Sequence, residues 1–189
     1  VRDLPRLSVD IDLTYLPLRA REESLADIDS ALGRISKSIS ASLPHAKVLP
    51  SRLHKEGIVN RLVVRTPETQ IKIEVTPVMR GCVFEPRTMQ VSPTVEDAFG
   101  YAETQVVSFN DLYAGKLVAA LDRQHPRDLF DVRDLLAKEG VTEPLRQAFL
   151  AYIVSHNRPA IEVLAPNRRD IRADFEENFR GMTAAPVAL

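Results

Sequence analysis

Arg6-Leu-Ser-Val-Asp-Ile-Asp-Leu-Thr14 alternates polar and apolar residues with a period of two. That period belongs to a β-strand, whose successive side chains leave opposite faces. Val9, Ile11 and Leu13 are expected to enter a core, which leaves Asp10 and Asp12 together on the other face. Two like charges there cost free energy unless something positive lies between them. A divalent cation meets that need, because Mg²⁺ takes hard oxygen ligands and is often held by one or two carboxylates plus substrate phosphates. The stretch therefore predicts a sheet that carries a metal-dependent phosphoryl- or nucleotidyl-transfer site.

A second acidic strand is expected at Gln70-Ile-Lys-Ile-Glu-Val-Thr76. Ile71, Ile73 and Val75 point one way; Lys72, Glu74 and Thr76 point the other. If its polar face aligns with that of the first strand, Glu74 joins Asp10 and Asp12 as a third carboxylate. Three acids on neighbouring strands can hold two Mg²⁺ ions around a triphosphate. A half-exposed sheet face in water shows the same alternation, so this strand taken alone leaves both meanings open.

Around these strands the first half reads as mixed α/β. Leu25, Ile28, Leu32, Ile35, Ile39 and Leu43 recur at spacings of three and four, predicting an amphipathic helix over 23–43 with Ser24 as N-cap. A short strand follows near 47–49, then strands at 58–65 and 70–78 joined by Thr-Pro-Glu-Thr as a hairpin. Residues 79–104 show no period and read as a connector with one short strand at 89–91. The second half reads as helical: 108–124 stopped by Pro126, 127–138 ended by Gly140, 143–155, and 168–180, with a loose tail from Met182. The reading divides the chain into a mixed α/β part, residues 1–92, which the resemblance described below implies to be a nucleotidyltransferase core, and a helical domain in 93–189.

Composition sets the outer bounds. The chain has 189 residues, 44% hydrophobic and 27% charged, with net charge −1 and one cysteine. A near-neutral chain has no global field for nucleic acid, so any such contact must come from a local patch. Cys82 alone excludes an internal disulfide. No apolar run approaches the ~20 residues that span a bilayer, and residues 1–20 carry charges throughout, unlike a signal peptide. A cytoplasmic protein with no membrane partner is expected.

The helix at 108–124 holds Lys116 and Arg123 two turns apart, hence on one face, with Ala119 and Ala120 between them. A compact ammonium and a bidentate guanidinium on one face suit a triphosphate, although a solvated basic edge has the same sequence. Gly115-Lys116 is no P-loop, since the upstream glycine and the following Ser/Thr are missing. In His125-Pro-Arg-Asp-Leu-Phe-Asp131, Asp128 and Asp131 share a face. Asp128 suits the helix start, where an acid complements the dipole, while Asp131 lies deeper and can orient Lys116 or Arg123. His125 reads as a turn residue, and His45, His54 and His156 lack metal-ligand spacing. Arg158, Arg168, Arg169 and Arg172 form a local basic cluster, either a solvated helix start or a contact for an RNA backbone.

The blocks Arg6–Thr14, Ile71-Lys-Ile-Glu74 and Asp111-Leu-Tyr-Ala-Gly-Lys-Leu-Val-Ala-Ala-Leu-Asp-Arg123, the last running on through Arg127-Asp-Leu-Phe-Asp131, together resemble the AbiEii/AbiGii toxin family. These are nucleotidyltransferase-like proteins of bacterial toxin–antitoxin and abortive-infection systems. The resemblance spans roughly residues 6 to 136, its last block being the most specific. It implies an α+β fold, a polymerase-β-like nucleotidyltransferase core with a mixed sheet and flanking helices, followed by a helical C-terminal domain. It implies metal-binding carboxylates at Asp10, Asp12 and Glu74, nucleotide contacts at Ser8, Lys116 and Arg123, and a further site acid at Asp131. Implied too are an NTP substrate with two Mg²⁺ ions, a tRNA acceptor and a separate antitoxin. The family opens its site with a glycine-containing turn at a helix N-terminus, yet no glycine precedes Gly33 here. That departure leaves two meanings open: a missing N-terminal segment, which is the expectation and would leave the parent protein able to act where this chain need not, or a member that lacks the turn, which would favour a binding role. A non-catalytic nucleotide- or partner-binding module and a small-molecule nucleotidyltransferase stay open as alternatives.

Overall fold

A computed structural model of the chain describes residues 6–8 and 10–189. Two compact units form: one is Ser8–Gly81, and the other is Cys82–Leu189 together with Arg6 and Leu7. This division falls earlier than the boundary read at residue 92.

The first unit is a four-stranded mixed sheet under one long helix. Strands β1 (Asp10–Leu13), β2 (Lys47–Arg52), β3 (Val59–Arg65) and β4 (Gln70–Val75) lie in the order β1-β4-β3-β2. β1 runs parallel to β4, while β2–β3 and β3–β4 pair antiparallel, the latter as the expected hairpin. Pro50 sits within β2, which its place at the sheet edge permits because no ladder donor is needed on the outer side. Helix α1 (Arg21–Ser42) covers one face, burying Ile28 and Leu32 against Val59, Leu62, Ile73 and Val75. At about 25 cal/mol per Å² of apolar surface removed from water, this layer is the unit's main stabilising term.

Two details differ from the expected pattern. α1 begins three residues ahead of Ser24, whose buried hydroxyl instead donates back to the Ala20 carbonyl at 2.9 Å. A serine inside a first turn can make this bond instead of capping. Ile11 is 48% exposed despite its apolar parity, and Leu13 is half-buried against the core. Val9, the third apolar residue of that strand, lies outside the described residues.

The second unit begins with a small two-stranded sheet, β5 (Arg87–Gln90) with β6 (Glu103–Val106), spanned by helix α2 (Pro93–Phe99). Only β5 has a counterpart in the sequence reading. The helices α3 (Phe109–Arg123), α4 (Pro126–Lys138), α5 (Glu143–Val154), α6 (Ala160–Leu164) and α7 (Arg172–Asn178) follow. Ser108 caps α3, accepting from the Asp111 amide at 3.0 Å, while its own hydroxyl donates to the Asp111 carboxylate. That buried carboxylate also accepts the Val83 and Phe84 amides at 2.7 and 3.0 Å, tying the incoming chain to the helix start. α3 ends before Pro126, with Gln124 left-handed at φ 51°, and the proline opens α4 instead. Tyr113, Ala114, Leu135, Leu145 and Ala148 form the central core of this unit. Gly115 admits a close neighbour there: a Cβ would meet the Tyr152 ring at 3.4 Å. The tail expected to be loose is packed, since Met182 and Val187 lie on the cluster of Phe130, Phe175 and Phe179.

Candidate active site

Parity on β1 and β4 decides what the sheet's open face carries. The parallel register sets Asp10 opposite Lys72 and Asp12 opposite Glu74. Asp10, Asp12 and Glu74 therefore share the face away from α1. The antiparallel register adds Arg61 opposite Glu74. Arg61 Nη2 lies 2.8 Å from Glu74 Oε1, and Lys72 Nζ lies 3.7 Å from Asp10 Oδ1. The face is thus an alternation of acids and bases rather than an unrelieved run of negative charge. Ser8 precedes this strand, its hydroxyl 3.5 Å from the Asp10 carbonyl.

Among the described residues, no three His, Cys, Asp or Glu side chains converge tightly enough to cage a metal ion. The three acids expected to converge share a face, but Glu74 is drawn to Arg61 and Asp10 towards Lys72. The donor set nonetheless fits Mg²⁺, which seldom uses an all-protein cage and completes its shell with water and substrate phosphate. Hard carboxylate oxygens on one strand face, partly exposed to solvent, suit that mode of binding.

In the helical unit, Lys116 on α3 and Asp131 on α4 meet with Nζ 2.5 Å from Oδ2. Asp131 is fully buried, and it also receives a fork from Arg6: Nε to Oδ1 at 2.6 Å and Nη2 to Oδ2 at 2.5 Å. Burial acts to raise the Asp131 pKa, but the hydrogen bonds from Arg6 and Lys116 outweigh it and hold the carboxyl below its ordinary value. The group is therefore a carboxylate near neutrality. Asp131 faces Lys116, one of the two bases it could orient on sequence grounds. Arg6 is the partner that sequence reasoning missed. No local pattern pairs it with Asp131, which lies 125 residues further along the chain.

Arg123, two turns beyond Lys116, makes its own fork to Asp128, Nε to Oδ2 at 2.6 Å and Nη2 to Oδ1 at 3.0 Å. Lys116 and Arg123 are thus each tied to an acid of α4, and Ala120 between them is buried in packing. His125 caps α4, its Nδ1 accepting the Arg127 amide at 3.2 Å. In the arginine cluster, Arg158 is paired with Asp122 at 2.5 Å and Arg169 donates to the Arg123 carbonyl. Arg168 and Arg172 are exposed. Among the described residues no helix is long and apolar enough to cross a membrane.

The fold is similar to that of MenT4, a nucleotidyltransferase toxin from Mycobacterium tuberculosis H37Rv, with a TM-score of 0.66 at 18% identity. The match covers 97% of this chain and 64% of MenT4, so the chain spans just under two thirds of that protein's length. The likeness is one of fold: a mixed sheet with flanking helices, the α+β class expected from the sequence. No curated protein matches the sequence. The model of the family described as nucleotidyl transferase AbiEii toxin, type IV toxin–antitoxin system, matches residues 1–187, and the chain therefore belongs to the AbiEii family.

Proposed function

We propose that the chain is, or forms part of, a metal-dependent nucleotidyltransferase toxin that moves a nucleotide from an NTP to an acceptor hydroxyl. The observation that carries this reading is the pairing of β1 with β4, which sets Asp12 opposite Glu74 and beside Asp10 on one open face. In this reading Asp10, Asp12 and Glu74 hold two Mg²⁺ ions. Bound there, the metal would supply an activated acceptor hydroxyl and a counter-charge for the phosphates. The acceptor oxygen bonds to the α-phosphorus as the bond to the pyrophosphate oxygen breaks. No side-chain nucleophile is needed.

Lys116 binds the triphosphate and offsets charge that develops on the leaving pyrophosphate, with Asp131 fixing its position. Arg123 and Ser8 contribute further nucleotide contacts. The acceptor is a tRNA end, for which the exposed Arg168 and Arg172 offer backbone contacts. A cognate antitoxin would oppose the toxin in the cytoplasm. The domain assignment follows the same division of labour, with the transfer chemistry in the sheet and the nucleotide-associated helix in residues 108–124.

A second reading has its own observation. Arg61 on Glu74 and Lys72 near Asp10 already counter two of the three acids without metal. A non-catalytic module that binds nucleotide or partner would need no more. Incubation with Mg²⁺, total tRNA and each α-labelled NTP separates the two. Label on RNA that disappears in Asp12→Ala supports the transferase. No label from any NTP, with NTP still bound, supports the binding module, and label on a small acceptor supports a small-molecule transferase.

A further inference from the structure

We propose that Arg6 is a positioning residue whose guanidinium neutralises Asp131 and so leaves the Lys116 ammonium a surplus of positive charge for a phosphate chain. This rests on the reading of Lys116 as a triphosphate-binding group.

Lys116 and Asp131 alone would be a neutral pair, a poor attractor for a polyanion. With Arg6 the cluster holds two cations and one anion, all in one unit. The two bases are not equivalent. The Arg6 side chain is 10% exposed and that of Lys116 is 20% exposed. Arg6 directs Nε and Nη2 to Asp131 and Nη1 to the Leu7 carbonyl at 2.7 Å, so each guanidinium nitrogen already has a protein acceptor. Lys116 gives Asp131 a single contact from an ammonium that carries three donors.

The fork also stops the Asp131 carboxylate from rotating, which fixes the oxygen that holds Lys116. Arg6 is anchored in turn. The Leu7 amide donates to the Met182 carbonyl at 2.8 Å, and Arg6 forms a β-bridge with Thr183. The packed tail is thus what seats the guanidinium beneath α4. Asp128, the remaining nearby acid, adds to the field that favours a cation at Arg6.

The test is binding of inorganic tripolyphosphate to the full chain by calorimetry, in metal-free buffer with chelator, so that no divalent cation bridges the anion to the sheet. Arg6→Gln should weaken binding roughly tenfold through the loss of one nearby charge. Adding Asp131→Asn to it should recover affinity, because the unopposed carboxylate is removed. A purely structural role predicts the reverse, with the double variant no better than Arg6→Gln, and that result would overturn the proposal. Lys116→Ala tests the underlying reading by itself: unchanged binding there sinks the assignment of Lys116. Loss in Lys116→Ala with Arg6→Gln at wild-type affinity overturns the role of Arg6 alone. If Arg6→Gln fails to fold, Arg6→Lys takes its place. It keeps the charge without the fork and should bind within about threefold of wild type; a larger loss overturns the proposal.

Discussion

Asp12 and Glu74 stand opposite each other in the parallel register of β1 and β4, and Glu74 in turn faces Arg61 on β3. The order acid, acid, base across three strands means the sheet holds its carboxylates together with an internal counter-charge. Asp12 lies on an exposed strand position, so Asp12→Ala should leave stability within about 0.5 kcal/mol. Transfer from labelled NTP should nevertheless disappear. A cooperative, unshifted melt together with undiminished labelling would remove Asp12 from the chemistry.

Arg61 can be separated from the fold in the same way. Its ion pair with Glu74 is partly exposed at 2.8 Å, and such pairs contribute about 0–1 kcal/mol. Arg61→Gln should therefore cost little stability while leaving Glu74 and Asp12 as opposed like charges. That raises the demand for an external cation, so Mn²⁺, used as a probe for Mg²⁺, should bind more tightly to Arg61→Gln than to wild type. Equal affinity in a titration calorimeter would show that Glu74 does not take part in holding the cation.

The two acidic strands were legible because alternation at 10–13 and 70–75 is a local property, and so was the hairpin between β3 and β4. The β1–β4 pairing was not, since it joins strands separated by α1, β2 and β3, and no local pattern encodes that register. β5 and β6 escaped for another reason. Every residue of β5 is exposed and only Val106 of β6 is even half-buried, so no apolar period exists for the sequence to display. In the helical unit Asp131 was identified on its own helix face. Arg6, distant in sequence, could be found only from the fold.

Asp131 links stability to pH. Its folded pKa lies below the ordinary carboxylate value, so its contribution is present above the unfolded pKa of about 3.9 and is lost as pH falls through the folded value. Asp131→Ala would leave Arg6 and Lys116 facing a space with no anion, at a cost of about 3 kcal/mol. Urea unfolding at pH 7 should show that loss. The gap between the two proteins should then narrow below pH 4; a gap that stays constant down to pH 2 would mean that Asp131 stabilises by packing rather than by charge.

His125 titrates in a different window. Burial is the main force lowering its pKa, with the Arg127 charge assisting, and its unprotonated Nδ1 accepts the Arg127 amide at the start of α4. Protonation removes that acceptor. A histidine with a folded pKa below its unfolded value of about 6.5 stabilises fully above that value and loses the contribution as pH falls through the folded one. Asparagine caps helices without titrating, so His125→Asn should match wild type at pH 7.5 and become the more stable protein by pH 5. Urea midpoints at the two pH values measure this directly, and the other three histidines contribute equally to both chains. Parallel shifts in the two proteins would show that the α4 cap does not depend on a neutral His125.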